Sequence, residues 1–232
     1  LTVRVAGLLQ AYLYRESNWK LSGTVEIAPR HITGEVFSLV SAGESGAYGL
    51  TLFPFHLGGA PTDRLVFRLS DRYENVEFRG AALARTRKID DNPDDGFYQL
   101  EVYFRGRQSG DLVLLASYEI SSGDDGKLPA GAIGCVGAEP EARYIAVSGL
   151  KSMKSAVVTA NDAREIDPDE LPSEYRNMIN NSLLQAFRSA DDLGVEVKLS
   201  AFAKDPLPPL LVANAVYRTR IAASGQAVTE AV

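Results

Sequence analysis

Asp90, Asn92 and Asp94 place side-chain oxygens at alternate positions of one acidic stretch, Asp90-Asp91-Asn92-Pro93-Asp94-Asp95-Gly96. Glu101 stands where a twelve-residue calcium loop would set its closing carboxylate. Ca2+ is the candidate cation for this set. Two departures weigh against it: Asp95 occupies the position where such loops need glycine, and Glu101 falls in a predicted strand rather than opening a helix. The departures favour a solvated acidic turn between two strands.

Other reactive side chains are few. Ser148-Gly149-Leu150-Lys151 has the spacing of a serine enzyme in which lysine neighbours the nucleophile, but that motif opens a helix and here it meets a predicted strand end. Cys135 lies among small and apolar residues that offer no charge to stabilise a thiolate. His31 follows Pro29-Arg30 in a predicted turn and His56 follows Phe55 near a strand end, so a shared metal requires the fold to bring them together with carboxylates. Carboxylate pairs for glycoside hydrolysis lie far apart in sequence and leave no local signature. Tyr103 on the polar side of its strand beside Arg105, and Tyr12 and Tyr14 near Arg15 and Trp19, are candidates for a ring surface that binds a sugar or a partner. Pro206, Pro208 and Pro209 read as a loop leading into a strand.

The bulk properties narrow the function further. A chain of 232 residues that is 45% hydrophobic buries a sizeable core without disulfides. Its net charge of -6 argues against a dedicated nucleic-acid coat, although Arg64, Arg68, Arg79, Arg85, Arg87, Lys88, Arg105 and Arg107 form a candidate basic sheet face. A single cysteine excludes an intramolecular disulfide and leaves the compartment open. No run of about 20 apolar residues marks a membrane helix.

The elements that must position these residues are mostly strands. Residues 3–14 are apolar on both parities, which predicts a strand covered on two faces. Trp19, Leu21, Gly23, Val25 and Ile27 alternate with polar residues, as in a strand with one wet face. Residues 35–41 and 48–57 predict a hairpin, with Gly58-Gly59-Ala60-Pro61 closing its second strand. Alternation around Leu65–Leu69, Tyr98–Phe104 and Leu112–Ile120 predicts antiparallel strands, and residues 76–88 predict a strand bent beyond Gly80. Asp95-Gly96 and Asp125-Gly126 read as turns.

Beyond residue 140 the pattern changes. Residues 142–150 and 153–165 predict strands, and Asp167-Pro168-Asp169-Glu170 carries a capping box with proline in its first turn. Over 172–193, Tyr175, Met178, Ile179, Ser182, Leu183, Ala186, Phe187 and Ala190 recur at helical spacing, which predicts one long amphipathic helix stopped at Gly194. Strands at 195–203 and 210–222 follow. The reading is therefore a mainly β fold with an α+β C-terminal part: antiparallel sandwich or barrel-like sheets plus that helix. Its organisation is an antiparallel β domain over 1–130 and a ββαββ unit over 131–232, which also admits one continuous domain.

With the catalytic kit missing and many strands half solvated, the sequence points to a non-enzymatic structural or assembly subunit that presents sheet surfaces to other protein chains as a homo- or hetero-oligomer. The alternatives are a β-scaffold enzyme or small-molecule or carbohydrate binder, with a pocket gathering Asp90, Glu101, Tyr103, Glu119 and His56, and a nucleic-acid-binding subunit using the basic face.

Overall fold

The computed structural model describes residues 28–43, 46–90, 96–123, 126–202 and 216–231, with positions 15, 18, 20 and 22. The strand expected at 3–14, most of the one expected at 19–27, and the loop at 205–209 lie outside the described residues. What is described is almost entirely strand. β1 (His31–Gly43), β2 (Gly46–Ser70), β3 (Tyr73–Arg79), β4 (Leu83–Asp90) and β5 (Phe97–Ile120) build the first part. Then come β6 (Lys127–Ala130), β7 (Ile133–Cys135), β8 (Ala142–Gly149), β9 (Met153–Thr159), β10 (Arg164–Ile166), β11 (Ser182–Ser189) and β12 (Val195–Ala201). β13 (Tyr217–Ile221) and β14 (Ala227–Ala231) close the chain.

Nine strands share one sheet in the order β10-β11-β8-β1-β2-β5-β3, with β4 also on β5 and β7 also on β2. Its pairings are antiparallel except for β1 with β8. The frame is set by β2 and β5, which pair along both of their halves with register shifts between Leu57 and Arg64. Two predicted strand pairs are thus single long strands, because the Gly58-Gly59-Ala60-Pro61 segment bends β2 without ending it. Gly59 adopts φ +74°, and a Cβ there would lie 2.1 Å from the Pro29 carbonyl oxygen, so only glycine fits the bend. Fourteen residues of straight strand would separate Phe53 from Phe67 by about 46 Å. Their ring centroids are 5.0 Å apart, so the ribbon folds back and packs its two halves face to face. Phe78 of β3 joins Phe67 at 4.7 Å.

The long amphipathic helix expected over 172–193 is absent, and this corrects the α+β reading of the C-terminal part: no helix reaches seven residues among the described residues. The capping box at Asp167 and Glu170 does form, but it caps a single 3-10 turn, Pro168–Glu170. One further turn, α1 (Ser173–Arg176), follows, and the chain then enters β11. The helical spacing has a physical origin. β11 is covered on both faces, with Phe187 in the main core and Ala186 in a second apolar cluster, and a bulge between Leu183 and Gln185 shifts its parity. Apolar residues on both parities with one added step imitate a 3.6 period. Asn177, Asn180 and Asn181 also weaken a helix, since their side chains compete for backbone hydrogen bonds.

The main core lies between the two halves of the bent ribbon and continues onto β8 and the small sheet β6-β12-β9 through Ile145, Leu128 and Val197. On the opposite face of β1, β8 and β11, the segment from Ile166 to Ile179 covers Phe37, Leu39 and Ala146. Tyr175 stacks on Phe37 at 4.5 Å and donates to Glu35 Oε2 at 2.8 Å. β8 thus has Ala146 on one face and Ile145 and Val147 on the other, all buried.

Candidate interaction surfaces

Strand register explains the first cluster. Glu101 of β5 sits opposite Arg87 of β4 and Val66 of β2, while Tyr103 sits opposite Arg64 and Arg85. On the outer side of the sheet these residues form one row of charge and ring. Glu101 Oε1 accepts from Arg64 Nη1 at 2.7 Å, and Oε2 accepts from Arg87 Nη2 at 2.7 Å, Arg87 Nε at 3.1 Å and Tyr103 Oη at 2.5 Å. The arginines and the tyrosine close over it, leaving Glu101 only 4% exposed. The Tyr103 hydroxyl and then the Arg87 and Arg64 charges hold its carboxyl below the usual range, against the opposing effect of burial. Glu101 therefore serves as a counter-ion whose acceptor positions are taken. Asp90 ends β4; its side chain, with Asn92 and Asp94, lies outside the described residues. Among the described residues no three metal-binding side chains come together.

The expected basic face divides. Arg64, Arg85 and Arg87 share the outer side of β2, β4 and β5, with Arg85 4.7 Å and Arg87 5.9 Å from the Tyr103 ring. Arg68 lies over Phe97 at 3.7 Å, Lys88 over Tyr98 at 4.4 Å, and Arg79 pairs with Glu77 on β3. Arg105 and Arg107 are exposed near the bend.

The other sequence candidates separate. His56 Nδ1 meets Asp111 Oδ1 at 2.7 Å on an exposed face, with Thr33 as the His56 register neighbour on β1. His31 takes a diagonal position on the same side, its ring over Gly58. Glu119 accepts from Asn75. Of the residues named for a shared pocket, Glu101 and Tyr103 meet, while His56 and Glu119 have these other partners. Ser148 is fully buried, its Oγ donating to the Val40 carbonyl at 3.2 Å and lying 2.9 Å from Ser41 Oγ, and Lys151 lies exposed in the following turn. Cys135 is buried, and burial pushes its thiol up to about 12.

The sequence reading missed a second kind of surface. β13 and β14 form a hairpin hydrogen-bonded to no other strand among the described residues, and residues 216–230 are all exposed. Tyr217 is 68% and Ile221 74% exposed. The turn dipeptide Ser224-Gly225, between alternating Tyr217, Thr219, Ile221 and the run at 227–231, was the signal available in the sequence. Among the described residues β9 is also the outer strand of β6-β12-β9, with Val157 and Val158 exposed.

No protein-family model matches the chain, and no curated protein matches it. Among solved structures, the crystal structure of a candidate protease from Parabacteroides distasonis aligns with a TM-score of 0.41 at 8% identity. The alignment covers 74% of this chain and 40% of that one, so the chain spans less than half of that protein's length. No helix among the described residues is long and apolar enough to cross a membrane.

Proposed function

We propose that the chain is a non-enzymatic assembly or binding subunit that joins other protein chains through its strand edges. The observation that supports this most is the isolated hairpin β13–β14. A two-stranded ribbon is marginal in water by itself, and this one carries Tyr217, Ile221 and Val228 into solvent. The outer edge of β9, which pairs with no further strand among the described residues, adds a row of backbone groups ready to pair with a strand from elsewhere. Light scattering coupled to size exclusion tests the reading: an associating chain gives a mass well above 25.1 kDa that rises with concentration. A 25.1 kDa particle at every concentration overturns self-assembly.

A second reading, polyanion binding on the outer face of β2, β4 and β5, draws support from Arg85, which lies exposed over Tyr103 with no carboxylate partner among the described residues. It expects binding to RNA or single-stranded DNA that weakens steeply with salt, and equal retention at low and high salt removes it.

A further inference from the structure

The register of the terminal hairpin gives it two unlike faces. Tyr217 pairs with Ala231, Thr219 with Thr229 and Ile221 with Ala227 on one face, where the two threonine hydroxyls lie 2.9 Å apart. Arg218 pairs with Glu230 and Arg220 with Val228 on the other. The first face is largely apolar, the second charged. A ribbon so divided is built to lie on a sheet, yet among the described residues nothing covers its apolar face.

β9 shows the matching division. Its register partners set Met153, Ser155 and Val157 beside Ala201, Leu199 and Val197, and Val197 and Leu199 belong to the main core. Lys154 and Ala156 sit beside Ser200 and Lys198 on the solvent side. Beneath this edge an open cleft of about 260 Å³ runs among Ala42, Ala47, Ile120, Leu128, Met153 and Leu199. The apolar side of the small sheet therefore ends at its rim over a recess that Ser122 and backbone at Gly43, Gly46 and Gly126 also line. On β9, the Ser155 Oγ has no hydrogen-bond partner among the described residues.

We infer that the β9 edge of one copy receives the β13–β14 hairpin of a second copy, with β14 next to β9, extending β6-β12-β9 to five strands. This rests on the assembly reading above and names its surfaces. Main-chain pairing supplies the attachment, and the side chains set the orientation. The hairpin's Tyr217, Thr219 and Ile221 face continues the Met153 and Val157 side over the cleft, and its charged face continues the Lys154 side. Charge selects the strand: β14 brings Glu230 toward Lys154, whereas β13 would bring Arg218 and Arg220. Reciprocal exchange between two copies closes a dimer, and one-way exchange continues as a chain of subunits.

The test uses two full-length variants, Ala156→Cys and Val228→Cys, one carrying a mass tag, mixed under mild oxidation. Both sites are exposed and the native Cys135 is buried, so the introduced thiols are the reactive ones. The expected result is a mixed disulfide dimer well in excess of either homodimer. Absence of that excess overturns the pairing, as does a double variant that closes its disulfide within one chain. If light scattering still shows an oligomer in those cases, the assembly reading survives and only these surfaces are wrong; a monomer removes both. As a second measure, Lys154→Glu should weaken self-association about two- to five-fold, and adding Glu230→Lys should restore it. No weakening, or no restoration, counts against β14 as the contacting strand.

Discussion

Glu101 shows how one side chain acquires its state from the strands around it. Its carboxyl is held down by the Tyr103 hydroxyl and two arginines, so the folded value lies below the unfolded one, about 4.3. A depressed carboxyl contributes stability above its unfolded value and loses it as pH falls through the folded value. Urea midpoints for the native chain and Glu101→Gln should therefore differ at pH 7, and the gap should narrow as pH falls below the unfolded value. A gap that does not change with pH shows that the substitution acts through packing instead. Gly49 is the opposite case, a residue defined by missing atoms. A Cβ at that position would lie 1.9 Å from the Tyr118 ring, which stacks on Tyr73 at 4.1 Å and bonds Thr51 Oγ1 at 3.0 Å. Gly49→Ala must displace a ring that burial and two hydroxyls fix, and denaturant unfolding should record a loss of about 1–3 kcal/mol. Burial pushes the Tyr118 phenol up to about 12, so in a spectroscopic titration it should stay protonated well beyond the ordinary phenol value.

At the level of elements, the two long bent strands carry the fold. Phe67 touches Phe53 across the bend and Phe78 across the sheet, so it ties both halves of the ribbon together. Phe67→Ala should cost about 3–5 kcal/mol in chemical denaturation, the upper range for a core aromatic, and a loss under 1 kcal/mol would mean the halves are held elsewhere. Strands wet on one face were legible in sequence, because Leu65, Phe67 and Leu69 or Leu112, Leu114 and Ala116 keep strict alternation. Residues 76–88 read as one strand bent beyond Gly80, where the alternation blurs, and the structure divides that stretch into β3 and β4. β11 was not legible, since cover on both faces and a bulge erase the alternation that separates strand from helix. Nor was the continuity of β2 through Gly58-Gly59-Ala60-Pro61, where residues that end most strands bend this one. Among the candidate sites, the Glu101 row escaped sequence reading because Arg64, Arg87 and Tyr103 meet it only through strand register. The signal in the sequence, alternating arginines on β4 opposite Glu101 and Tyr103, becomes readable only once the pairing is known.

For the molecule as a whole, most contacts join distant parts of the chain, as the Ser41 and Ser148 hydroxyls illustrate at a separation of 107 residues. Refolding of the isolated chain should accordingly be slow for its size, on the order of milliseconds to seconds or longer, in stopped-flow fluorescence or circular dichroism. Removing residues 216–232 takes away the terminal hairpin while leaving the described sheet partners of β1–β12 in place. That shortened chain should keep the native far-ultraviolet spectrum and thermal midpoint and yet sediment as a monomer. If it still associates, the joining surface lies within the body.

The parallel pairing of β1 with β8 also bears on how the molecule is made. β1 gains its antiparallel neighbour within a few residues of synthesis, but its other side waits until the stretch 142–149 has been translated. At 5–20 residues per second, a gap of 107 residues lasts roughly 5–20 s. For that interval a ribosome-tethered chain presents Phe37, Leu39 and an open row of amides to the cytosolic or export machinery, so nascent chains halted before residue 142 should recruit chaperones that those released past residue 149 do not.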